Sequence, residues 1–291
     1  LTPIHLLALC FIVAILFGTV LLLLPFATTS PIGLVDALFT ATSAVCVTGL
    51  IVVDTGGQFT GFGQVVILAL IQFGGLGIMT ASTVLLLALG QRVSLRNLNL
   101  LRDEYTVTGL GSTRRLLVTI AAFTFVAEAI GAVVLSNRFS ADMPTGRAIW
   151  HGVFHSISAF CNAGFSLFST SFIKYRGDVT INLAMPLLIV FGGLGFPALI
   201  GVLHKISARI EGVRIKLSLH AKIVFAATVA LLAAGTLAFL VLEGPGEELA
   251  RKAFSEKLAA SWFQSVTTRT AGFNTIDFGD ASEPTLLLTI V

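Results

Sequence analysis

The sequence predicts an all-α polytopic membrane protein made of repeated helix, re-entrant loop, helix units around a pseudo-fourfold axis, with three units on this chain and the fourth missing. Three observations carry this. First, 55% of the 291 residues are hydrophobic and 11% are charged, with a mean hydropathy of +0.95, whereas about a quarter of an ordinary soluble domain is charged. Second, apolar runs long enough to cross a bilayer, of the order of 20 residues, fall near 4–26, 62–90, 116–135, 180–203 and 217–242, and a sixth begins near Pro284. Third, a shorter segment ending in glycine recurs between them: FTATSAVCVTG at 39–49, FHSISAFCNAG at 154–164 and WFQSVTTRTAG at 262–272. In the first two an aromatic stands ten residues before the glycine and a cysteine, Cys46 or Cys161, three before it; such coincidence points to duplication.

Repeat 1, residues 1–90, has an outer helix at 4–26, a pore loop at 31–52 and an inner helix at 62–90. The first run lacks a small-residue cleavage pattern and further spans follow it, so it reads as a retained helix rather than a signal peptide. A linker at 91–115 leads to repeat 2, residues 116–203, with its pore loop at 145–168. A second linker, 204–222, runs into repeat 3, 217–291, with its pore loop at 255–276 and a truncated inner helix. The stretches 34–46, 147–160 and 256–268 are too short to span, hence re-entrant. The chain is expected to be a fragment of a longer polypeptide, since three quarters of a ring cannot enclose a path.

Charge sets the expected orientation. Arg92, Arg96, Arg102, Arg114 and Arg115 crowd the first linker and Lys205, Arg209, Arg214, Lys216 and Lys222 the second, so both read as cytoplasmic. The stretch 27–61 has no Lys or Arg, and 243–283 is net acidic, which places the loops outside. The middle outer loop is discordant: Arg138, Arg147, Lys174 and Arg176 outnumber Asp142 and Asp178. A net charge of +3 reflects the linkers and not a nucleic-acid face.

Glycine turns at this depth suit a cation path. Replacing an ion's water shell requires oxygen ligands, which backbone carbonyls supply without fixed charge. Glycine reaches the necessary dihedrals at little steric cost, and the C-terminal dipole of each short helix favours a cation. The candidate ligands are Val47, Thr48 and Gly49, then Asn162, Ala163 and Gly164, then Thr270, Ala271 and Gly272. A second repeated string, FGGLG, brings Gly74, Gly75 and Gly77 into the first inner helix and Gly192, Gly193 and Gly195 into the second. These serve close helix packing, or clear the path below the turns and permit a bend. Asp36, Asp54, Asp277 and Asp280 could gather cations at the mouth, although solvated loop carboxylates are the commoner case.

The strings TSAVCVTGLIVVDT, FGGLG, FHSISAFCNAGFS and TRTAGFN resemble the membrane subunit of the Ktr/Trk/HKT potassium transporters, nearest to the bacterial Ktr type, over essentially all 291 residues. The resemblance implies a K+-channel-like arrangement of four repeats, with Gly49, Gly164 and Gly272 as selectivity-filter glycines. It also implies a homodimer in the bacterial inner membrane, a cytoplasmic ring of nucleotide-binding regulatory subunits of the KtrA (RCK) type, and K+ uptake with Na+ as activator or co-ion in symport. In that family serine at the first filter position accompanies sodium preference; here Gly49 leans toward potassium.

Other residues admit sharper and plainer readings. His151 and His155, four apart, have a spacing that can hold a metal, but with no third ligand nearby capping or hydrogen bonding is the plainer role. Glu128 lies inside an apolar span, where an ionisable group is a functional candidate by default, or else a hydrogen-bonded carboxyl between helices. Arg269, three before Gly272, stands where Cys46 and Cys161 stand; facing the path it would repel a cation, so it is expected to turn away and tie the loop to a carboxylate or to carbonyls. Cys10, Cys46 and Cys161 are expected to be free thiols. No phosphate-binding Gly-Lys-Ser/Thr loop is present. Against the transport reading stand a membrane-embedded metal-dependent enzyme using His151, His155 and Glu128, and a non-transporting assembly scaffold.

Overall fold

In a computed structural model the described residues are 3–90, 110–210, 212, 216–243, 252–279 and 281–290. Much of both linkers lies outside them, including Arg92, Arg96, Arg102 and Arg214, as does Asp280. The helices are α1 (Pro3–Leu22), α2 (Leu34–Cys46), α3 (Thr55–Gln58), α4 (Gly61–Gly90), α5 (Leu110–Phe139), α6 (Thr145–Phe160), α7 (Val179–Gly193), α8 (Phe196–Ile210), α9 (Leu219–Glu243), α10 (Phe254–Thr270) and α11 (Glu283–Ile290). No named strand occurs among the described residues, only an isolated bridge between Thr28 and Phe59.

The helices pack as successive bundles: α1, α2 and α4 on one another, then α5, α6 and α7, then α9 with α10 and α11. Contacts of α4 with α6 and of α7 with α10 join neighbouring bundles. Val118–Phe139 and Leu219–Glu243 are apolar and long enough to cross a membrane. Their outer faces expose Phe125, Val126, Ile130 and Val133 on α5 and Val229, Leu231, Leu237 and Val241 on α9, surfaces that hydrocarbon tolerates and water does not. Between apolar helices in lipid, close approach rather than burial drives packing, so small residues mark the crossings. A Cβ on Gly18 would stand 2.5 Å from Leu70 Cδ1, and one on Gly152 2.1 Å from Ser136 Oγ.

The stretch 180–203, expected as a single helix, is two. Helix α7 stops at Gly193, α8 starts at Phe196, and the pair is bent by 104°. Gly195 takes φ +79° at the break, a left-handed conformation that glycine adopts freely; Pro197 lacks the N–H that a continuing helix would need.

At the loop end of α5, Arg138 pairs with Asp178 and, at 3.2 Å, with Asp142. Burial pushes the Tyr175 hydroxyl up to about 12, and its hydrogen bond holds Asp142 below the usual carboxylate range. Arg176 is buried and donates from Nε to the Thr275 carbonyl at 2.8 Å.

Candidate functional site

Helices α2, α6 and α10 each end in a turn that carries one of the candidate glycines. Helix α2 closes with paired capping bonds: Thr48 N–H donates to the Ser43 carbonyl at 3.0 Å and Val47 N–H to Ala44 at 3.3 Å. Helix α6 repeats them, with Ala163 N–H on Ser158 at 2.7 Å and Asn162 N–H on Ala159 at 3.0 Å. This is the Schellman ending, which requires a left-handed residue just past the helix. Val47 and Asn162 take that place at φ 56° and 59°. Asparagine enters the left-handed region readily, whereas a β-branched valine there is a steric outlier. Gly49, Gly164 and Gly272 are left-handed as well, at φ 74°, 72° and 76°.

The three glycines, far apart in sequence, meet. A Cβ on Gly49 would stand 2.6 Å from the Ala163 carbonyl oxygen and 3.2 Å from Gly164 Cα. One on Gly164 would stand 2.5 Å from the Ala271 oxygen, and one on Gly272 3.8 Å from Gly164 Cα. Thr270 Oγ1 donates to Asn162 Oδ1 at 2.8 Å, linking the middle turn to the third. All nine candidate ligands therefore belong to three turns, the middle one packed against each of the other two.

The FGGLG glycines lie beneath these turns. A Cβ on Gly74 would fall 1.9 Å from the Val45 carbonyl oxygen and one on Gly192 1.7 Å from that of Phe160, so each admits the C-terminal end of the short helix in its own bundle. Gly75 faces the next bundle, where its Cβ would meet Cys161 Sγ at 2.6 Å; Gly193 has Asn162 and Thr270 at 3.8 Å. Gly77 packs beside the Phe11 ring, and Gly195 belongs to the break after α7. Close packing accounts for Gly74, Gly75 and Gly192, and a bend for Gly195.

Side chains that sequence reasoning left as minor hold the backbone leaving the turns. Leu167 N–H donates to His155 Nε2 at 3.1 Å, which leaves the ring proton on Nδ1 for the His151 carbonyl at 2.8 Å. His155 also stacks on Phe168 at 4.9 Å. With both nitrogens engaged, this ring is a clamp and not a metal ligand. His151 lies within α6, and no group of three metal-binding side chains occurs among the described residues. In α10 Gln264 takes the same role: with its carboxamide oriented to suit its donors, its oxygen accepts from Thr275 and Ile276 N–H, both at 3.2 Å. The signal in sequence was weak, a polar residue nine before Gly164 and eight before Gly272.

The described mouth carboxylates, Asp36, Asp54 and Asp277, each accept from a backbone N–H two or three residues away. Asp36 accepts from Gly33 N–H at 3.2 Å, Asp54 from Gly57 N–H at 3.0 Å and Ser169 Oγ at 2.8 Å, and Asp277 from Gly279 N–H at 2.9 Å. Arg269 reaches the Gly193 carbonyl at 3.4 Å and Thr228 Oγ1 at 3.5 Å, so a carbonyl and a hydroxyl receive its guanidinium. The three cysteines are free thiols.

Comparison with known proteins gives the family. The model of the TrkH cation transport proteins matches residues 6–291. The Ktr system potassium uptake protein B of Bacillus subtilis is 42% identical over 293 residues, 100% of this chain and 64% of its own length. The potassium/sodium uptake protein NtpJ of Enterococcus hirae is 37% identical, over 100% of this chain and 63% of its own. The chain thus spans a little under two thirds of these relatives. In fold it matches the crystal structure of the potassium transporter TrkH from Vibrio parahaemolyticus, with a TM-score of 0.63 at 21% identity, over 96% of this chain and 55% of that one. The family and these relatives are transporters, not enzymes, which removes the metal-enzyme alternative: the chain is a member of the TrkH family of cation transport proteins.

Proposed function

We propose that this chain supplies three walls of a potassium uptake path, selecting K+ with backbone carbonyls of Val47 to Gly49, Asn162 to Gly164 and Thr270 to Gly272. The observation that carries the reading is the meeting of three left-handed glycine turns, each at the C-terminal end of a short helix. Helix C-termini present partial negative charge, which favours a cation where no carboxylate is fixed. Strained backbone persists where surrounding structure enforces it, commonly at ligand sites; a scaffold has no use for it. Potassium is named in the description of one relative and potassium with sodium in that of the other.

The wider arrangement is part of the same proposal. The three bundles are repeated pore-loop units, a fourth closes the ring, and the turns open to the outside of a bacterial inner membrane crossed several times. The discordant outer loop fits this orientation, because Arg138 is paired with two aspartates and Arg176 is turned onto a buried carbonyl. Homodimer formation, stimulation or symport by Na+ and control by a cytoplasmic nucleotide-binding subunit follow from the same kinship.

The test is uptake of potassium and sodium into proteoliposomes carrying the full-length protein, wild type beside Gly164→Ser. The serine Cβ would enter the space of the Ala271 carbonyl oxygen, so potassium uptake is expected to fail or lose its preference over sodium. Unchanged preference in the variant overturns the assignment.

A further inference from the structure

The middle turn has a support that the third lacks. Ser156 Oγ of α6 donates to the Glu128 backbone carbonyl at 2.7 Å, and Ser265 Oγ of α10 donates to that of Leu232 at 2.9 Å. A Cβ on Gly131 would meet Ser156 Oγ at 2.4 Å, and one on Gly235 would meet Ser265 Oγ at the same distance. Glu128 and Leu232 therefore hold matching places on α5 and α9, and joining the helices there needs only a backbone carbonyl. The carboxyl is extra.

Glu128 is 4% exposed and lines an apolar crevice of about 400 Å³ together with Leu68, Phe125, Ala132, Val153 and Ile157. Burying it is expensive unless it is hydrogen-bonded. The Gln72 carboxamide faces it without closing a well-formed hydrogen bond. The thiol of Cys161 donates to Oε1 at 3.9 Å. Cys161 is itself confined, since Gly75 leaves no room for a Cβ beside its Sγ, and the next residue is the left-handed Asn162 that bonds Thr270. A continuous set of contacts thus runs from Glu128 through Cys161 and Asn162 to the third turn.

We propose that Glu128 is a positioning residue for the middle turn: through Cys161 it fixes Asn162, and thereby how strictly the three-glycine site discriminates potassium from sodium. This rests on the selective role proposed above. Fixed spacing matters because a smaller ion is rejected only if the carbonyls do not close around it, and a turn anchored on one side alone can close.

The experiment measures the ratio of sodium to potassium KM for uptake by the full-length protein in proteoliposomes, for wild type, Glu128→Leu, Glu128→Gln, Cys161→Ala and the double variant Glu128→Leu with Cys161→Ala. Glu128→Leu is chosen because leucine already fills this place on α9. It should assemble normally and lower the ratio by about fivefold or more, the usual scale of coupling between sites. Cys161→Ala should do the same, and the double variant should add little to either, as expected of residues acting in series. Glu128→Gln, which keeps an acceptor for the thiol, should recover most of the ratio. Glu128→Leu with a wild-type ratio overturns the inference while leaving the glycine site intact. So does a double variant whose loss is the product of the two single losses. A wild type that takes up both ions alike overturns the glycine site and this inference together.

Discussion

In the middle helix–turn segment eight positions lead from Ser156 to Gly164; in the third, seven lead from Ser265 to Gly272. Up to that difference the two run in step. Phe154 and Phe263 are fully buried, and His155 and Gln264 receive the returning backbone. The position that differs is the left-handed residue after the helix: Asn162 occupies it in the middle segment, whereas α10 continues to Thr270 and reaches Gly272 with no left-handed residue between. The first segment follows the middle one, with Val47 in that place. One residue thus decides whether a turn closes with a Schellman ending or as a simple helix end. It also decides whether the turn has a side chain, such as that of Asn162, to bond across to its neighbour.

The comparison predicts unequal glycines. Gly164→Ala places a methyl 2.5 Å from a backbone oxygen in a left-handed residue, and selective uptake should fall about a hundredfold or more, close to 3 kcal/mol. Gly272→Ala has nothing nearer than 3.8 Å and should lose only the left-handed penalty, about 1–2 kcal/mol. Equal losses would break the distinction. Next in size is Gly192→Ala, whose methyl would fall 1.7 Å from the Phe160 oxygen; overpacking there should destabilise by about 3 kcal/mol. Gly193→Ala, with neighbours at 3.8 Å, should stay within about 0.5 kcal/mol. The fraction surviving size-exclusion chromatography after heating in detergent ranks the pair.

Two smaller effects probe the matched roles. His155→Ala leaves the buried Leu167 N–H without its acceptor and should cost about 2 kcal/mol. His155→Gln should regain most of this, because glutamine performs that task in α10; equal stability of the two variants would sever the match. Val47→Asn, which copies the middle turn, should relieve the left-handed valine and stabilise by about 1 kcal/mol. A drop in the same heating assay would show that the valine packs better than its backbone suffers.

Much of this was legible in the sequence, and what was missed has a common cause. Short apolar runs between long ones gave α2 at its observed bounds and α6 and α10 to within about two residues, the usual uncertainty of helix ends. The turn glycines were legible because a left-handed backbone leaves a residue-type signature. Counting back from each glycine placed Arg269 opposite Cys46 and Cys161. The structure instead puts Thr270 against Gly193 where Cys161 lies against Gly75, because the third turn is a residue shorter. Such a slip leaves no mark on periodicity or composition. Nor does the role of His155, whose partner Leu167 lies twelve residues on, nor the bond from Asn162 to Thr270, 108 residues apart. The bend after α7 was only half visible: FGGLGFP contains both the glycine and the proline that make it, but an unbroken apolar run outweighed them.

The central claim is that the ion sits among the three glycine turns, and the most direct measurement is anomalous diffraction from crystals of the full-length protein grown with thallium, a potassium surrogate. The account predicts anomalous density bounded by Gly49, Gly164 and Gly272, displaced by excess potassium and lost in Gly164→Ser. Density confined to carboxylates such as Asp54 or Glu128, with none among the glycines, would contradict it.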